Sequence, residues 1–285
     1  MSKAEKIEQI IICPNCAIGL KPADAGLTCP NCNLNYKRDQ NKIFLTANQG
    51  YSPELTDEAI FKIKLFFKKF PHCYKLLCYF FGAPIVGESP NKFLKSFTAD
   101  SVLLNIGSGP KVIRDDVINL DIYPFQNVDL VANASVLPIK SACVDAIICE
   151  SLIEHLENPS ALVAELHRVL KPGGKVYLVA PFILSFHSSP NDFYRWTDQG
   201  LSALFAHAGF SAISVKPLYG PTSSLVNILS EWLAILFSFN SQHIHNFCYL
   251  FFYTILSPIK FLDFILVKFE SAKNSALGFS ITAAK

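Results

Sequence analysis

Apolar positions along the 285-residue chain fall into separate regimes. Between Ser101 and Val215 they form short runs of strand length: Val102–Leu104, Val117–Leu120, Val128–Val131, Val144–Ile148, Lys175–Ala180 and Phe210–Val215. Runs this short, bounded by Gly, Pro, Asn and Asp, predict strands of a mostly parallel sheet buried on both faces. Two connections carry helical periodicity instead. Asn158-Pro159 places a cap before a proline at the first helical position, and Leu162, Leu166, Val169 and Leu170 make the apolar stripe, with Glu165, His167 and Arg168 toward water. Thr197 caps a second helix whose inner face is Leu201, Leu204, Phe205 and Ala208, ended by Gly209. The pattern predicts an α/β fold.

Past Lys216 the chain changes character: as far as Lys260, Glu231 is its one Asp, Glu, Lys or Arg. Leu225–Phe239 and Phe247–Leu256 are apolar stretches separated by polar residues, and Ile259–Phe269 carries Lys260, Asp263 and Lys268. No apolar run reaches eighteen residues, so helices lying on one leaflet, or burying a hydrophobic oligomer face, fit better than a spanning helix. Asp263 at mid-bilayer would be costly. Ala276–Ala283 alternates like a strand and is expected to return antiparallel at the sheet edge, which makes residues 221–272 an insertion between the last two strands. Before the sheet, Thr56-Asp57-Glu58 reads as a helix start. From 59 to 81, lysines interleave with Phe and Tyr as in an interfacial segment on an anionic leaflet, or in a helix packed on its own protein.

Composition adds three constraints. Charged residues are 17% and apolar ones 51%, with 24 phenylalanines, so a hydrophobic contact surface is expected. A formal charge of +2 gives no basic excess to attract nucleic acid. The N-terminus lacks an apolar h-region, which fits a cytoplasmic protein, with peripheral contact at the cytoplasmic membrane face as the accompanying expectation. Among nine cysteines, Cys13-Pro-Asn-Cys16 and Cys29-Pro-Asn-Cys32 have the spacing of two metal knuckles. Four thiolates so placed can close a tetrahedron around structural zinc, and a module of 1–50 is too small to fold on its own core.

The candidate chemistry centres on Asn105-Ile106-Gly107-Ser108-Gly109, which follows the first strand, and on Asp121, which ends the second. Parallel strands bring these to adjacent carboxyl ends, where open α/β sheets bind ligands. Glycine allows a tight turn and close approach of a ligand, and the aspartate can accept two hydrogen bonds from a ribose. This stretch resembles the nucleoside-binding part of class I S-adenosylmethionine-dependent methyltransferases, and Glu165-Leu-His-Arg-Val-Leu-Lys-Pro-Gly-Gly174 resembles their most recognisable signature. The N-terminal segment is similar to zinc ribbons, of the Trm112-like kind, found alone or ahead of some methyltransferases.

The resemblance implies a Rossmann-like, seven-stranded, mostly parallel methyltransferase sheet over 98–285, preceded by the ribbon and a helical linker over 51–97. It implies S-adenosylmethionine as cofactor, held by Asn105, Gly107, Ser108, Gly109, Asp121, Asn133, Ala134 and Glu150. Asn105 and Asn133 stand where the family usually has aspartate, and Lys111 where a third glycine is common. Eleven residues between Gly109 and Asp121 leave room for a compact turn and no full helix. The loop His187-Ser-Ser-Pro-Asn-Asp192-Phe-Tyr194-Arg195-Trp196-Thr resembles one in a subgroup of bacterial methyltransferases. His187, Asp192, Tyr194, Arg195 and Trp196 are its candidate acceptor-binding residues. His187, then Glu150, are the candidate bases for an oxygen acceptor. An Asp192–Arg195 pair pinning a lid over Tyr194 and Trp196 is the alternative. His155 has a structural role in the family. The expected acceptor is a small, amphiphilic or lipid-linked molecule. RNA methylation and a non-catalytic scaffold of the same fold are the alternatives, and a nicotinamide oxidoreductase is disfavoured by the missing third glycine.

Overall fold

The computed structural model describes residues 1–23, 26–39, 41–46, 82–187 and 191–285. The helix start at Thr56 and the lysine–aromatic segment 59–81 lie outside the described residues. Helix α1 (Lys3–Ile10) opens the chain, and β1 (Lys21–Ala23), β2 (Gly26–Thr28), β3 (Asn35–Asp39) and β4 (Lys42–Phe44) follow. After α2 (Pro90–Leu94) come β5 (Leu103–Ile106), β6 (Ile118–Asp121), β7 (Leu130–Val131), β8 (Val144–Glu150), α3 (Pro159–Val169), β9 (Leu170–Pro181), α4 (Asp198–His207) and β10 (Ser211–Tyr219). The chain ends with α5 (Pro221–Phe237), α6 (Gln242–Leu256), α7 (Asp263–Leu266) and β11 (Gly278–Ala284).

These strands form one eleven-stranded sheet, β1-β2-β3-β4-β7-β6-β5-β8-β9-β11-β10, rather than seven strands with a separate ribbon. The extra strands come from the cysteine module. Ile43 and Phe44 pair in parallel with Leu130 and Val131, so its hairpins extend the parallel run. Core sharing explains why: Ile7, Ile10, Cys13, Leu27, Cys29 and Ile43 are buried in the same cluster as Leu104, Ile118 and Leu130. The buried Lys6 ammonium adds a polar tie, donating to the Ser101 carbonyl at 2.7 Å and to that of Ala99.

Two further expectations are corrected. The last strand is antiparallel but not at the edge: β11 lies between β9 and β10, with Phe279 opposite Ala180 and Ile281 opposite Leu178. Its nearly continuous burial suits an interior place, whereas β10 is mostly half-buried or exposed and forms the edge. Glu165 and Arg168 do not simply face water. Arg168 grips Glu165 and donates to the carbonyls of Ile139 (2.8 Å) and Leu137 (2.9 Å), while Glu165 accepts from the Leu137 amide at 2.7 Å. This clamp holds the segment after β7 on α3. His167 packs against Gly209 and edge-on to Phe210.

The expected caps form as the residues dictate. Asn158 Oδ1 accepts from the Ala161 amide at 3.2 Å and Thr197 Oγ1 from the Gly200 amide at 3.0 Å. Gly173, within Lys171-Pro-Gly-Gly, has φ +78° and lies inside β9, where pairing with β8 jumps from Leu170 opposite Val144 to Lys175 opposite Ala146.

The stretch over 221–272 forms a helical layer beside β10 and β11. Asp263, fully buried, accepts from the amides of Thr222 (2.6 Å) and Ser223 (2.9 Å) and from the Ser223 hydroxyl (2.6 Å), closing the N-terminus of α5. A Cβ at Gly220 would lie 2.3 Å from the Asp263 carboxyl carbon, so the cap requires glycine there. Lys260 is also buried, and its ammonium reaches the Gly82 carbonyl at 2.9 Å and lies over the Tyr253 ring. On the opposite side Leu225, Ile228, Trp232, Ile235, Phe247 and Phe251 are exposed, and α6 buries no residue. The helical run Gln242–Leu266 is, by length and composition, long and apolar enough to cross a membrane.

Candidate active site

The sheet reverses direction between β5 and β8: from β5 the chain moves to β6 and β7, then returns to β8 on the other side. Open α/β sheets bind ligands at such a switch point, outside the strands' carboxyl ends. The glycine loop and Glu150 border this crevice.

Gly107 has φ +68° and Gly109 φ +51°, conformations that L side chains rarely adopt. A Cβ at Gly107 would come within 2.9 Å of the Leu152 side chain, whereas one at Gly109 would meet open space. The loop is tied to β6: Gly107 and Ser108 donate to the Leu120 carbonyl at 2.9 and 3.2 Å. Asp121 continues that attachment, accepting from the Gly109 amide at 2.8 Å and the Tyr123 amide at 2.9 Å. Burial pushes the Asp121 carboxyl above the usual range, and the Tyr123 and Gly109 amides oppose the shift. Each carboxylate oxygen has a second acceptor site, so two hydroxyls of a ribose fit the same group.

Asn105 does not point its amide at this crevice. Its Nδ2 donates to Asn119 Oδ1 at 3.1 Å inside the sheet, and Asn119 Nδ2 donates to the Asn127 carbonyl at 3.1 Å. Asn127 Nδ2 then donates to the carbonyls of Gly109 and Lys111, both at 3.0 Å. Asn105 therefore positions the glycine loop through a chain of amides. The physical reason is its place in β5 opposite Asn119 of β6, which makes a buried side-chain pair. Asn133 is exposed and accepts from the Ser135 amide at 2.9 Å, and Ala134 beside it is buried. Glu150 Oε2 lies 2.5 Å from Lys111 Nζ, an ion pair that spans the crevice from the glycine loop to β8.

Beyond β9, the loop from Pro181 to Thr197 docks on the short turn Ile153–His155 that follows β8. The Phe193 amide donates to the Glu154 carbonyl at 2.8 Å, Tyr194 Oη to the Glu157 carbonyl at 2.9 Å, and the Trp196 amide to the Pro181 carbonyl at 2.8 Å. Arg195 is held within the loop. It forks onto Asp192, with Nη2 to Oδ2 at 2.6 Å, and donates to the carbonyls of Leu184 (2.9 Å), Ser185 (2.8 Å) and Tyr194 (2.8 Å). This is the lid-pinning arrangement, and it leaves Arg195 no donor set for an anionic acceptor. The Arg195 guanidinium holds the Asp192 carboxyl down to about 2.

His187 sits where Asp192 Oδ2 accepts its backbone amide at 2.8 Å. Burial holds its imidazole below the ordinary value, against the opposing pull of Asp192. The fold brings the His187 ring to 5.2 Å from the His155 ring, joining two stretches far apart in the chain. Glu154 between them was not singled out by sequence reasoning: it is fully buried, and burial pushes its carboxyl up to about 7. An acid directly before a histidine was the available signal; its burial depends on the lid that covers it.

Residues 114–178, which begin after the glycine loop and end within β9, match the family model described as a methyltransferase domain. The matched stretch runs through β6, β7, β8 and α3 into β9 of the open sheet. No curated protein matches the chain in sequence. Among solved structures, the chain is similar to phosphoethanolamine N-methyltransferase 2 of Haemonchus contortus, at 16% identity and a TM-score of 0.44, covering 78% of this chain and 59% of that one. It is also similar to an S-adenosylmethionine-dependent methyltransferase from Archaeoglobus fulgidus, at 16% identity and a TM-score of 0.39, covering 79% of this chain and 93% of that one. The chain thus spans under two thirds of the Haemonchus protein.

Separately, the sulfur atoms of Cys13, Cys16, Cys29 and Cys32 all lie within 4.8 Å of one another. The two Cys-Pro-Asn-Cys turns are local copies. The Cys13 and Cys29 carbonyls each accept the amide four residues on, from Ala17 (2.8 Å) and Asn33 (2.9 Å), and both those residues have positive φ. Burial alone would push the Cys13 thiol up, but the Tyr36 hydroxyl and backbone amides outweigh it and bring it to about 7. Four thiols in this arrangement fit a tetrahedral metal.

Proposed function

We propose that the protein transfers a methyl group from S-adenosylmethionine to a small-molecule acceptor, of amphiphilic or lipid-linked character. One observation carries the nucleoside half of this reading: the buried Asp121 carboxylate accepts the Gly109 amide, and a Cβ at that glycine would meet open space. S-adenosylmethionine supplies an activated methyl on a good leaving group. The chain's own residues bind and orient. Gly107, Ser108 and Gly109 let the nucleoside approach the backbone, Asp121 receives the ribose hydroxyls, and Asn133 with Ala134 borders the adenine. Glu150 stands at the methionine end, where a bound ammonium would compete with Lys111 for its carboxylate. The lid of Asp192, Tyr194, Arg195 and Trp196 excludes water, so rate comes from positioning. His187 is the first candidate to take a proton from an oxygen acceptor and Glu150 the second.

Calorimetry with S-adenosylhomocysteine tests this. The wild-type chain is expected to bind one equivalent, and Asp121→Ala to weaken binding by about tenfold to a hundredfold, the loss of one or two hydrogen bonds to a charged acceptor. No binding by the folded wild type would favour a non-catalytic scaffold.

The cysteine cluster is assigned as a structural zinc ribbon over 1–50, ahead of a linker over 51–97 and the methyltransferase domain over 98–285. The apolar outer face of α5 and α6 is assigned to a membrane leaflet from which an amphiphilic acceptor would be drawn. Vesicles of mixed anionic phospholipid are expected to float the full chain, and the double substitution Trp232→Glu, Phe247→Glu to leave it at the bottom of the gradient. Equal flotation of both would remove the leaflet from this account.

A further inference from the structure

We propose that Glu154, His155 and His187 form a binding site for one divalent transition-metal cation, separate from the four-cysteine cluster. One donor atom from each lies within 4.8 Å of the other two. A cation held at about 2.0–2.2 Å from nitrogen and oxygen donors needs them roughly 3–4 Å apart, so a small closure completes the set. Two imidazoles and a carboxylate are a donor set that borderline divalent metals favour.

Three features of these side chains fit a bound cation. Glu154 is 0% exposed, yet neither carboxylate oxygen has a hydrogen-bond partner in another residue. A carboxylate removed from water so completely ordinarily finds donors or a cation. His155 Nδ1 lies 2.5 Å from the Asn191 carbonyl, so it is the ring's donor, and the lone pair remains on Nε2. That Nε2 is 3.9 Å from Glu154 Oε1. A backbone carbonyl fixing the outer nitrogen of a histidine is a recurrent support for metal ligands. His187 Nδ1 is buried without a hydrogen-bond partner and stands 3.6 Å from Asp192 Oδ2. Asp192 itself is engaged by Arg195 and by the His187 amide, so it holds the lid in place around the third ligand.

The site sits beside the crevice, between the turn after β8 and the loop after β9. If the methyltransferase reading holds, the cation would bind an acceptor oxygen and promote its deprotonation, taking over from His187 the work of a base. The cation site itself stands without that reading.

The test uses the full-length chain and manganese(II), which favours oxygen and nitrogen ligands over thiolates and so leaves the cysteine cluster out of the measurement. Free manganese is read by electron paramagnetic resonance during titration. One saturable equivalent is expected, with affinity lowered about tenfold or more by Glu154→Gln and by His155→Ala. Manganese should also raise the unfolding temperature of the wild type and not of either variant, a readout that a merely structural role would not give. S-adenosylhomocysteine calorimetry on the same samples keeps the two proposals apart, because both variants should retain nucleoside binding if the wild type has it. Absence of saturable manganese binding overturns the site, as does binding undiminished in both variants. In either case Glu154 would be a buried acid held in its protonated form.

Discussion

Cys29→Ser is expected to release tightly bound zinc and to unfold the N-terminal module. Structural zinc contributes on the order of 10 kcal/mol to small modules, and a buried hydroxyl cannot replace the thiolate. Cys29 is fully buried and shares its core with Leu104, Ile118 and Leu130, so the damage should not stop at the ribbon. With β4 paired to β7, loss of the module strips a neighbour from the parallel sheet. A fall in the unfolding temperature on the order of 10 °C follows from a loss of several kcal/mol in a chain of this size. Elemental analysis and hydrogen exchange measure it together: one zinc equivalent should disappear, and amides of β4 and β7 should lose protection. Retention of that zinc by the variant would show that the four sulfurs are not its ligands.

Asp263→Ala should be the most destabilising change in the helical layer, by about 3 kcal/mol or more, because it leaves buried donors without an acceptor. The carboxylate serves the amides of Thr222 and Ser223 and the Ser223 hydroxyl, at the positive end of α5. Lys260 adds to the cost, since burial already pushes its amine down to about 8 and the Asp263 charge is what opposes this. Asp263→Asn keeps acceptor oxygen without the charge and should lose about half as much. Urea unfolding monitored by tryptophan fluorescence gives both values. Equal stability of Asp263→Ala and wild type would mean that α5 keeps its start without the cap.

That cap shows where sequence reasoning stops. In the chain, Asp263 looks like an awkward charge in an apolar stretch, an argument against a spanning helix. In the fold it is a partner for a helix start forty residues earlier, and Gly220 exists to make room for it. Arg168 is similar. Helical periodicity places it toward water, but its guanidinium reaches carbonyls of the segment after β7. Periodicity reports which face of a helix is apolar and cannot report what polar backbone lies within reach of a long side chain. Arg195 was legible in part, because Asp192 three residues earlier is a local partner; the carbonyls that occupy its remaining donors are not.

Local chemistry was determined by the sequence alone. Cys-Pro-Asn-Cys turns, the positive-φ glycines of the Gly107–Gly109 turn, and the Asn158 and Thr197 caps all depend on neighbours within a few bonds or one turn. Tertiary structure decided what depends on distant partners. It inserted β11 between β9 and β10, joined the cysteine module to the sheet through Ile43 and Phe44, and turned Asn105 onto Asn119. It also sealed Glu154 beneath the loop that carries His187. Short-range sterics and hydrogen bonding are written into adjacent residues, but burial and strand order are settled only when separate segments compete for the same core.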